Sequence, residues 1–251
     1  MIKVFLAVIT ILAAGIANGD PAAGTATQGG LSGFLFLPES DILQEGCLRI
    51  QGRLSYIDLK SSSDSYLVLP LSITWGWKDG FEIGGEIPFY LDDSAGEGRL
   101  FGDITAGCAW LYETARGGSA IVLRGQLRLP TGLAGRDRGS ELVLGAATGT
   151  TFRLFRLQAS ASYILNGSGN PFKDRISDYM RFSFGGASYV TEDIQIVCAM
   201  DGNTWGDFGL SGSGVLYVVD GLSLFGVLRA GLGGRETYSI SAGAAWTGSG
   251  F

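Results

Sequence analysis

Histidine is absent from this chain, and cysteine and proline are scarce, with three and six residues among 251. Histidine is the most frequent general acid or base in enzymes, and serine and cysteine nucleophiles usually depend on it. No thiol stands beside a candidate base, and no alternative Ser-Lys or carboxylate arrangement can be located. The sequence therefore predicts a protein that is not an enzyme and that uses no cofactor.

The three cysteines, Cys47, Cys108 and Cys198, are far apart in the chain. An odd number without a CxxC spacing argues against a disulfide scaffold and against a metal or redox site. We expect them to be small residues in the walls of strands.

Long apolar runs are also lacking beyond the N-terminus. The run VFLAVITILAAGIA, residues 4–17, follows Lys3 and precedes small residues, which is typical of a secretory signal peptide over residues 1–19. No later window approaches the roughly 18 apolar residues that a transmembrane helix needs. Any membrane crossing must therefore use strands.

Charge is low and its sign is acidic. Charged residues make up 17% of the chain, the formal net charge is −6, and removal of the signal peptide takes away only Lys3. An acidic protein disfavours nucleic acid as a partner. With 46% hydrophobic residues and 41 glycines, the chain is too apolar for disorder and too rich in glycine for a helical bundle. These values indicate an all-β protein.

Apolar and polar residues alternate with a period of two along most of the chain. The stretch LVLPLSITWGWKDGFEIGGEIPFYL, residues 67–91, shows the pattern, and Lys-Asp-Gly within it is expected to form a tight turn between two strands. Strict alternation predicts strands with one apolar face. Twelve segments follow this rule: 46–59, 66–77, 81–91, 100–112, 119–129, 141–153, 155–165, 178–190, 194–200, 208–218, 222–231 and 237–247.

The connections between these segments alternate between short and long. An even number of strands of about ten residues, with short turns on one rim and longer loops on the other, is typical of an outer-membrane β-barrel. We therefore predict a transmembrane antiparallel up-and-down β-barrel over residues 46–251 as one domain, with both ends on the periplasmic, short-turn side. A soluble β-sandwich also alternates and is the competing interpretation.

The second face of the strands and the position of the aromatic residues favour the membrane. That face carries Ser, Thr, Gly and Ala with few charges, whereas the wet face of a sandwich should carry many. Aromatic residues on the apolar face gather at one rim, as a membrane-interface girdle requires. This predicted girdle consists of Trp75, Trp77, Phe81, Trp110, Tyr112, Phe152, Phe155 and Trp246. Tyr189 and Tyr217 lie at the same height with inward parity.

The inward positions carry a set of charged residues. It consists of Arg49, Arg53, Glu82, Glu86, Asp103, Arg124, Arg128, Arg156, Arg181 and Arg229. Seven of these are basic, so a locally positive lumen is expected in an acidic protein. Alternate strands lie about 10 Å apart, so Glu86 is within reach of Arg53 or Arg124 across small residues. These charges either guide solutes or only brace a narrow barrel.

Residues 20–45 precede the barrel and contain the apolar run GLSGFLFLP, residues 30–38. They are too few for a plug domain. The segment either lies inside the barrel, where it would narrow the pore, or forms a flexible periplasmic tail.

Several of these segments together resemble a known family. LPLSITWGWKDGFEIGGEIPFY, GDITAGCAWLY, VLRGQLRLPTG, GSELVLGAATG and LQASASYIL are similar to outer-membrane barrels grouped as putative transporters of the phenol meta-cleavage degradation pathway. The resemblance covers about residues 46–166. Upstream, GLSGFLFLPESDILQEGCLRI is similar to the segment that opens related barrels, and Phe251 matches the terminal aromatic residue that barrel-assembly machinery reads.

The resemblance implies a location in the outer membrane of a Gram-negative-type bacterium and a transport role. We expect a channel for passive uptake or export of small solutes, with outer-membrane lipid, a small-molecule solute and the barrel-assembly machinery as partners and no nucleic acid. The inward arginines favour anionic or aromatic-carboxylate solutes. Two alternatives stay open: a facilitator for apolar or aromatic compounds, and a structural or partner-binding barrel with a sealed interior.

Overall fold

A computed structural model describes residues 31, 33–34, 37–38, 42–59, 65–93, 101–113, 120–132, 140–152, 155–166, 178–233 and 236–249. The strands are β1 (Gly33–Phe34), β2 (Leu37–Pro38), β3 (Cys47–Leu59), β4 (Ser65–Lys78), β5 (Phe81–Asp93), β6 (Ile104–Glu113), β7 (Ala120–Leu129), β8 (Glu141–Phe152), β9 (Phe155–Asn166), β10 (Tyr179–Tyr189), β11 (Ile194–Asn203), β12 (Phe208–Val219), β13 (Leu222–Gly233) and β14 (Glu236–Ser249). Within these ranges no helix has the length and apolar character needed to cross a membrane.

Strands β3 to β14 form one closed antiparallel sheet. Each pairs with its neighbours in the chain, and β14 pairs with β3 to complete the ring. The prediction of a twelve-stranded up-and-down barrel is confirmed, because a sandwich would need two separate sheets. The predicted bounds agree within four residues: the largest differences are at β6, which was expected to begin at residue 100 and begins at Ile104, and at β11, which was expected to end at residue 200 and extends to Asn203.

Two tight turns show how the sequence sets strand register. Asp79-Gly80 joins β4 to β5, and Asp220-Gly221 joins β12 to β13. Gly80 and Gly221 have φ values of 73° and 78°, which a residue with a Cβ adopts only at a cost. Both turns lie on the rim where β3 begins and β14 ends. That rim is therefore the short-turn side of the barrel.

Pro70 and Pro88 lie where the ladders between neighbouring strands are interrupted. The two residues face each other across β4 and β5. Pairing of β3 with β4 skips the position of Pro70, and pairing of β5 with β6 covers only residues 81–86 against 105–110. Proline has no N–H to donate, so each ladder breaks on the side where that donor is missing. The bulges between β4 and β5 lie at 67/68 and 76/78.

The two faces of the barrel wall differ in chemistry. Large apolar side chains point outward, and residues such as Ile73, Leu144 and Leu228 are half exposed or more. Polar and charged side chains alternate with them and point into the lumen, where many are buried. This is the reverse of a water-soluble fold and is typical of a transmembrane barrel. Cys108 and Cys198 lie on the exposed face, and Cys47 is buried.

Candidate functional site in the barrel lumen

Nine of the ten charged residues expected in the lumen lie at inward positions of the register, and Asp103 lies just before β6, where it accepts a hydrogen bond from the Gly132 N–H. Arg49, Arg53, Glu82, Asp103 and Arg229 are buried. Arg124, Arg128, Arg156 and Glu86 are half-buried, and Arg181 is exposed to the lumen near the long-loop rim. The structure therefore places both signs of charge along the whole inner wall.

Three ion pairs connect these charges around the wall. Arg53 Nη2 lies 3.6 Å from Glu86 Oε2, which is one of the two pairings considered for Glu86. Arg128 donates to Glu141, and Arg229 binds Asp201 through two bonds of 3.0 and 2.7 Å. Each arginine is thus held in a fixed position by a carboxylate on another strand.

Glu141 and Asp201 are lumen residues that the sequence interpretation missed. Glu141 is the first residue of β8, and Asp201 lies beyond the expected end of β11. Both sit at inward parity: Glu141 is already the first residue of the predicted segment 141–153, and extending the predicted segment 194–200 by one residue would have included Asp201. They lower the excess of inward positive charge, because the described inward side chains on the strands and beside them include seven arginines and these five carboxylates: Glu82, Glu86, Asp103, Glu141 and Asp201.

The Arg229–Asp201 pair depends on a glycine between the two strands. Gly209 on β12 lies between Asp201 on β11 and Arg229 on β13, and a Cβ there would come within 2.4–2.6 Å of the guanidinium. The guanidinium therefore lies flat across Gly209 to reach the carboxylate. This glycine is needed for close approach, as strand glycines often are.

Residues 42–46 lie inside the barrel against β4 and β5. The Leu43 N–H donates a 2.8 Å bond to the carboxylate of Glu82, whose side chain is 0% exposed. The Gly46 N–H donates to the carbonyl of Gly76. A Cβ on Gly76 would overlap the backbone of Gln44, so only glycine allows this contact. Glu82 therefore anchors the N-terminal segment to the inner wall.

The rest of the described N-terminal segment contacts other parts of the wall. Leu31 is 0% exposed and packs on the inward residues Ala109 and Val122 of β6 and β7. Strand β2 lies against β9 and β10, across the lumen from β4 and β5. The described residues between 31 and 46 thus contact several parts of the wall, and the course of residues 20–45 as a whole stays a prediction.

The two halves of the lumen differ in water access. Near the short-turn rim the inward side chains are buried, including Arg49, Glu82 and an apolar cluster from β10 to β14 that contains Val215 and Phe225. Tyr217 packs on that cluster and stacks with Tyr189, so both are inward as expected. Toward the long-loop rim Arg181 is exposed and Arg128 and Asp201 are half-buried, whereas Asp103, Glu141 and Tyr179 are buried. The described interior is therefore accessible to water around Arg181, and we call this region the vestibule and the buried region near the short-turn rim the floor.

The aromatic residues of the expected girdle lie together at the short-turn rim. Trp77, Trp110, Tyr112, Phe152 and Phe155 are exposed there, and Trp75 and Phe81 are half-buried beside them. Trp246 differs, because it is 8% exposed and its indole folds over Gly248. Its place in the girdle stays a prediction. Phe251 lies outside the described residues, as do residues 1–19.

Replacing Glu86 with glutamine tests whether the Arg53–Glu86 pair stabilises the barrel. The change leaves the guanidinium of Arg53, which is 4% exposed, without its ion-pair carboxylate. We expect E86Q to lower the free energy of unfolding by about 2 kcal/mol. Urea titration in lipid vesicles, followed by tryptophan fluorescence, measures this. E192Q, on an exposed turn, is the control, and an E86Q transition that coincides with wild type would contradict a stabilising pair.

Comparison with known proteins supports the fold through structure and not through sequence. No protein-family model and no curated protein matches the chain. A COG4313 outer membrane channel from Pseudomonas putida F1 is similar, with a TM-score of 0.65 and 12% identity, over 83% of this chain and 98% of that one. The KdgM porin is similar with a TM-score of 0.59 and 8% identity, over 79% of this chain and 98% of that one.

One similar structure is an enzyme. The outer membrane phospholipase A from Escherichia coli has a TM-score of 0.54 and 12% identity, over 79% of this chain and 92% of that one. The chain therefore has the fold of outer-membrane barrels, which channels and an enzyme share. No cluster of three or more His, Cys, Asp or Glu side chains suited to a metal occurs within the described residues. The resemblance to phenol meta-cleavage pathway barrels stays a prediction.

Proposed function

We propose that this protein is an outer-membrane channel for small anionic solutes whose passage is controlled by the N-terminal segment. The observation that carries the proposal is the inner wall, where seven arginines face five carboxylates while the whole chain is acidic. A local positive potential in a narrow, low-dielectric lumen raises the concentration of anions there. The exposed apolar outer face supports contact with outer-membrane lipid.

The threaded segment makes the passage gated rather than open. Leu31 and Leu43 are buried inside the barrel, and the floor around them is closed to water. Solutes that enter the vestibule pass only when part of this segment moves. The described contacts of the segment are with β4 to β7, β9 and β10. We also propose that the barrel-assembly machinery recognises the C-terminal strand of the barrel.

Reversal potentials in a potassium chloride gradient across a planar bilayer test the charge preference. We expect chloride to be more permeable than potassium, and we expect the double variant R124Q/R156Q to reduce that preference because it removes two inward positive charges. K78Q, which removes a charge at the short-turn rim outside the lumen, is the control. Preference for potassium in the wild-type chain would overturn the proposal. If the full-length pore stays closed, the measurement uses the chain without residues 20–41.

The packed floor also supports a second candidate, a barrel with a sealed interior that acts through its surface. Near-complete burial of Arg49, Glu82 and the apolar cluster is the observation that favours it. The two candidates differ in one result: a sealed barrel passes no current even after the N-terminal segment is removed.

A further inference from the structure

We infer that the inner wall formed by β9 and β10 is a binding site for carboxylates that carry hydroxyl groups, such as gluconate. The inference deepens the proposed passage of small anions, and rests on it, by naming the class of anion that the vestibule selects. The site is a polar lane that begins at an accessible guanidinium near the long-loop rim and continues down the wall as hydroxyls and a carboxamide. It consists of Arg181, Ser162, Ser160, Ser183 and Gln158.

The strand register places the polar lane at three successive levels of the wall. Arg181 on β10 pairs with Ser162 on β9. At the next level down Ser183 pairs with Ser160, and Gln158 lies one level below Ser160. Inward residues on one strand are about 6.6 Å apart, so the three levels extend over about 13 Å. Exposure falls in the same direction, from the exposed Arg181 to Gln158, which is 1% exposed.

The guanidinium of Arg181 is accessible to an anion at the upper end of the polar lane. Its Nη2 donates to the hydroxyl of Tyr179 at 3.3 Å, which occupies only one of its N–H donors. Within the described part of the chain it is not paired with a carboxylate, whereas Arg229 is bound to Asp201. Because a planar guanidinium suits the two oxygens of a carboxylate, we expect the acid group of a ligand to bind here.

The middle of the polar lane offers hydroxyl groups. The oxygens of Ser160 and Ser183 are 2.7 Å apart, so one hydroxyl donates to the other, and the second proton is not used within the described residues. The oxygen of Ser162 lies over Gly145 on β8, where a Cβ would clash with it. A hydroxyl both donates and accepts hydrogen bonds, so this part of the wall suits the hydroxyl groups of a ligand.

Gln158 forms the lower end of the polar lane and has a carboxamide with unmet hydrogen bonds. Neither its nitrogen nor its oxygen has a hydrogen-bond partner among the described residues. Its neighbours in the sheet, Gly149 and Gly185, have no side chain to supply one, and β2 lies against the same two strands. A buried amide in this state is unfavourable until a polar group reaches it. A ligand hydroxyl can do so, because it accepts from the nitrogen and donates to the oxygen.

These features specify an extended ligand with a carboxylate at one end and hydroxyl groups along its length. The carboxylate accepts hydrogen bonds from Arg181, while the hydroxyls bond to the serines and to Gln158. A short anion such as acetate reaches only the first level, and a neutral polyol uses only the levels below it. Gluconate is an open-chain molecule that uses all three.

Calorimetric titration of the full chain in detergent micelles with sodium gluconate, at constant ionic strength, tests the polar lane. R181Q is expected to weaken binding by about tenfold or more through loss of charge-assisted bonds. The double variant S160A/S162A is expected to weaken it by about fivefold, and Q158L by about threefold, through loss of neutral hydrogen bonds. Equal gluconate affinity in wild type, R181Q and S160A/S162A would overturn the site.

A matched variant and two probe molecules control this experiment. S211A/S213A removes two half-buried inward hydroxyls from β12 and should bind gluconate as wild type does. Hexanoate has the same carbon chain and carboxylate without the hydroxyls, and sorbitol has the hydroxyls without the carboxylate. Both should bind at least about fivefold more weakly than gluconate, after subtraction of a titration into protein-free micelles. Hexanoate binding as tight as that of gluconate would overturn the hydroxylated class.

Folding of the variants is measured separately. Heat-modifiable migration on a denaturing gel shows that each variant is a folded barrel. Because Q158L removes a carboxamide that makes no hydrogen bond within the described residues, its urea midpoint in lipid vesicles is expected at or above that of wild type. A lower midpoint would show that Gln158 supports the barrel and would overturn its assignment to the site.

Binding in micelles does not require passage, so the two proposals fail separately. A protein that binds gluconate but never conducts would remove the channel and keep the site. A protein that conducts anions but binds no gluconate would remove the site and keep the channel.

Discussion

A chain without residues 20–41 should show a several-fold larger single-channel conductance than the full-length chain. Twelve strands spaced about 4.8 Å apart and tilted by about 40° give a backbone cylinder about 24 Å across. Side chains from each wall occupy about 5 Å, which leaves a bore of about 14 Å, and one strand with its side chains is about 10 Å thick. A single extended segment inside such a barrel would therefore fill most of the bore.

Planar-bilayer recording of both chains, each produced with residues 1–19 intact, measures this effect. Retaining residues 42–46 keeps the bond between Leu43 and Glu82, so the inner wall near that carboxylate is unchanged. A synthetic peptide of residues 20–41 added to the truncated protein is the control and should lower the conductance again. Equal conductance of the two chains would show that the segment does not obstruct the pore. The absence of current in both would favour the sealed barrel.

Replacing Asp201 with asparagine should destabilise the barrel more than any other single change considered above. Arg229 is bound to Asp201 by two bonds, and the two side chains are 8% and 14% exposed. D201N removes the carboxylate that binds this largely buried guanidinium above Gly209, and the expected loss is about 3 kcal/mol of unfolding free energy. Urea titration in lipid vesicles measures the loss.

The double variant D201L/R229M distinguishes the cost of an unpaired charge from the value of the pair. Because no charge is left unpaired in it, we expect a smaller loss than in D201N alone. D193N, on an exposed turn, is the matched single control. If D201N proves as stable as D193N, the Arg229–Asp201 pair does not stabilise the barrel, and a role of Arg229 in solute binding would be favoured.

Strand number, strand bounds and wall orientation were predictable from the sequence because they depend on a period of two. The pattern of residues 67–91, for example, fixes which face of β4 and β5 meets lipid. The same rule placed Arg53 and Glu86 on one face, and their separation across one strand brought them within reach. The period of two is a local property, so each segment of the sequence indicates its own strand and which of its faces points outward.

The path of the N-terminal segment was not predictable in the same way. The run GLSGFLFLP suits the barrel interior and a periplasmic tail equally, since its apolar character does not identify a partner. Its position depends on complementarity with distant residues, such as Gly76, whose missing Cβ admits the backbone of Gln44. The low exposure of Trp246 has a similar origin, because it depends on Gly248 beside it and not on parity.

The contacts of Leu31 and Leu43 inside the ring also restrict the order of events during assembly. Strands β3 and β14 are far apart in sequence and meet along their full length to close the sheet. The segment immediately before β3 must therefore already be enclosed when β14 arrives, or it must enter later through an open end. Because Gly46 is bonded to Gly76 at the short-turn rim, late entry has to proceed from that rim. Closure of the sheet between β3 and β14 is thus coupled to the placement of Leu31 and Leu43 inside the barrel.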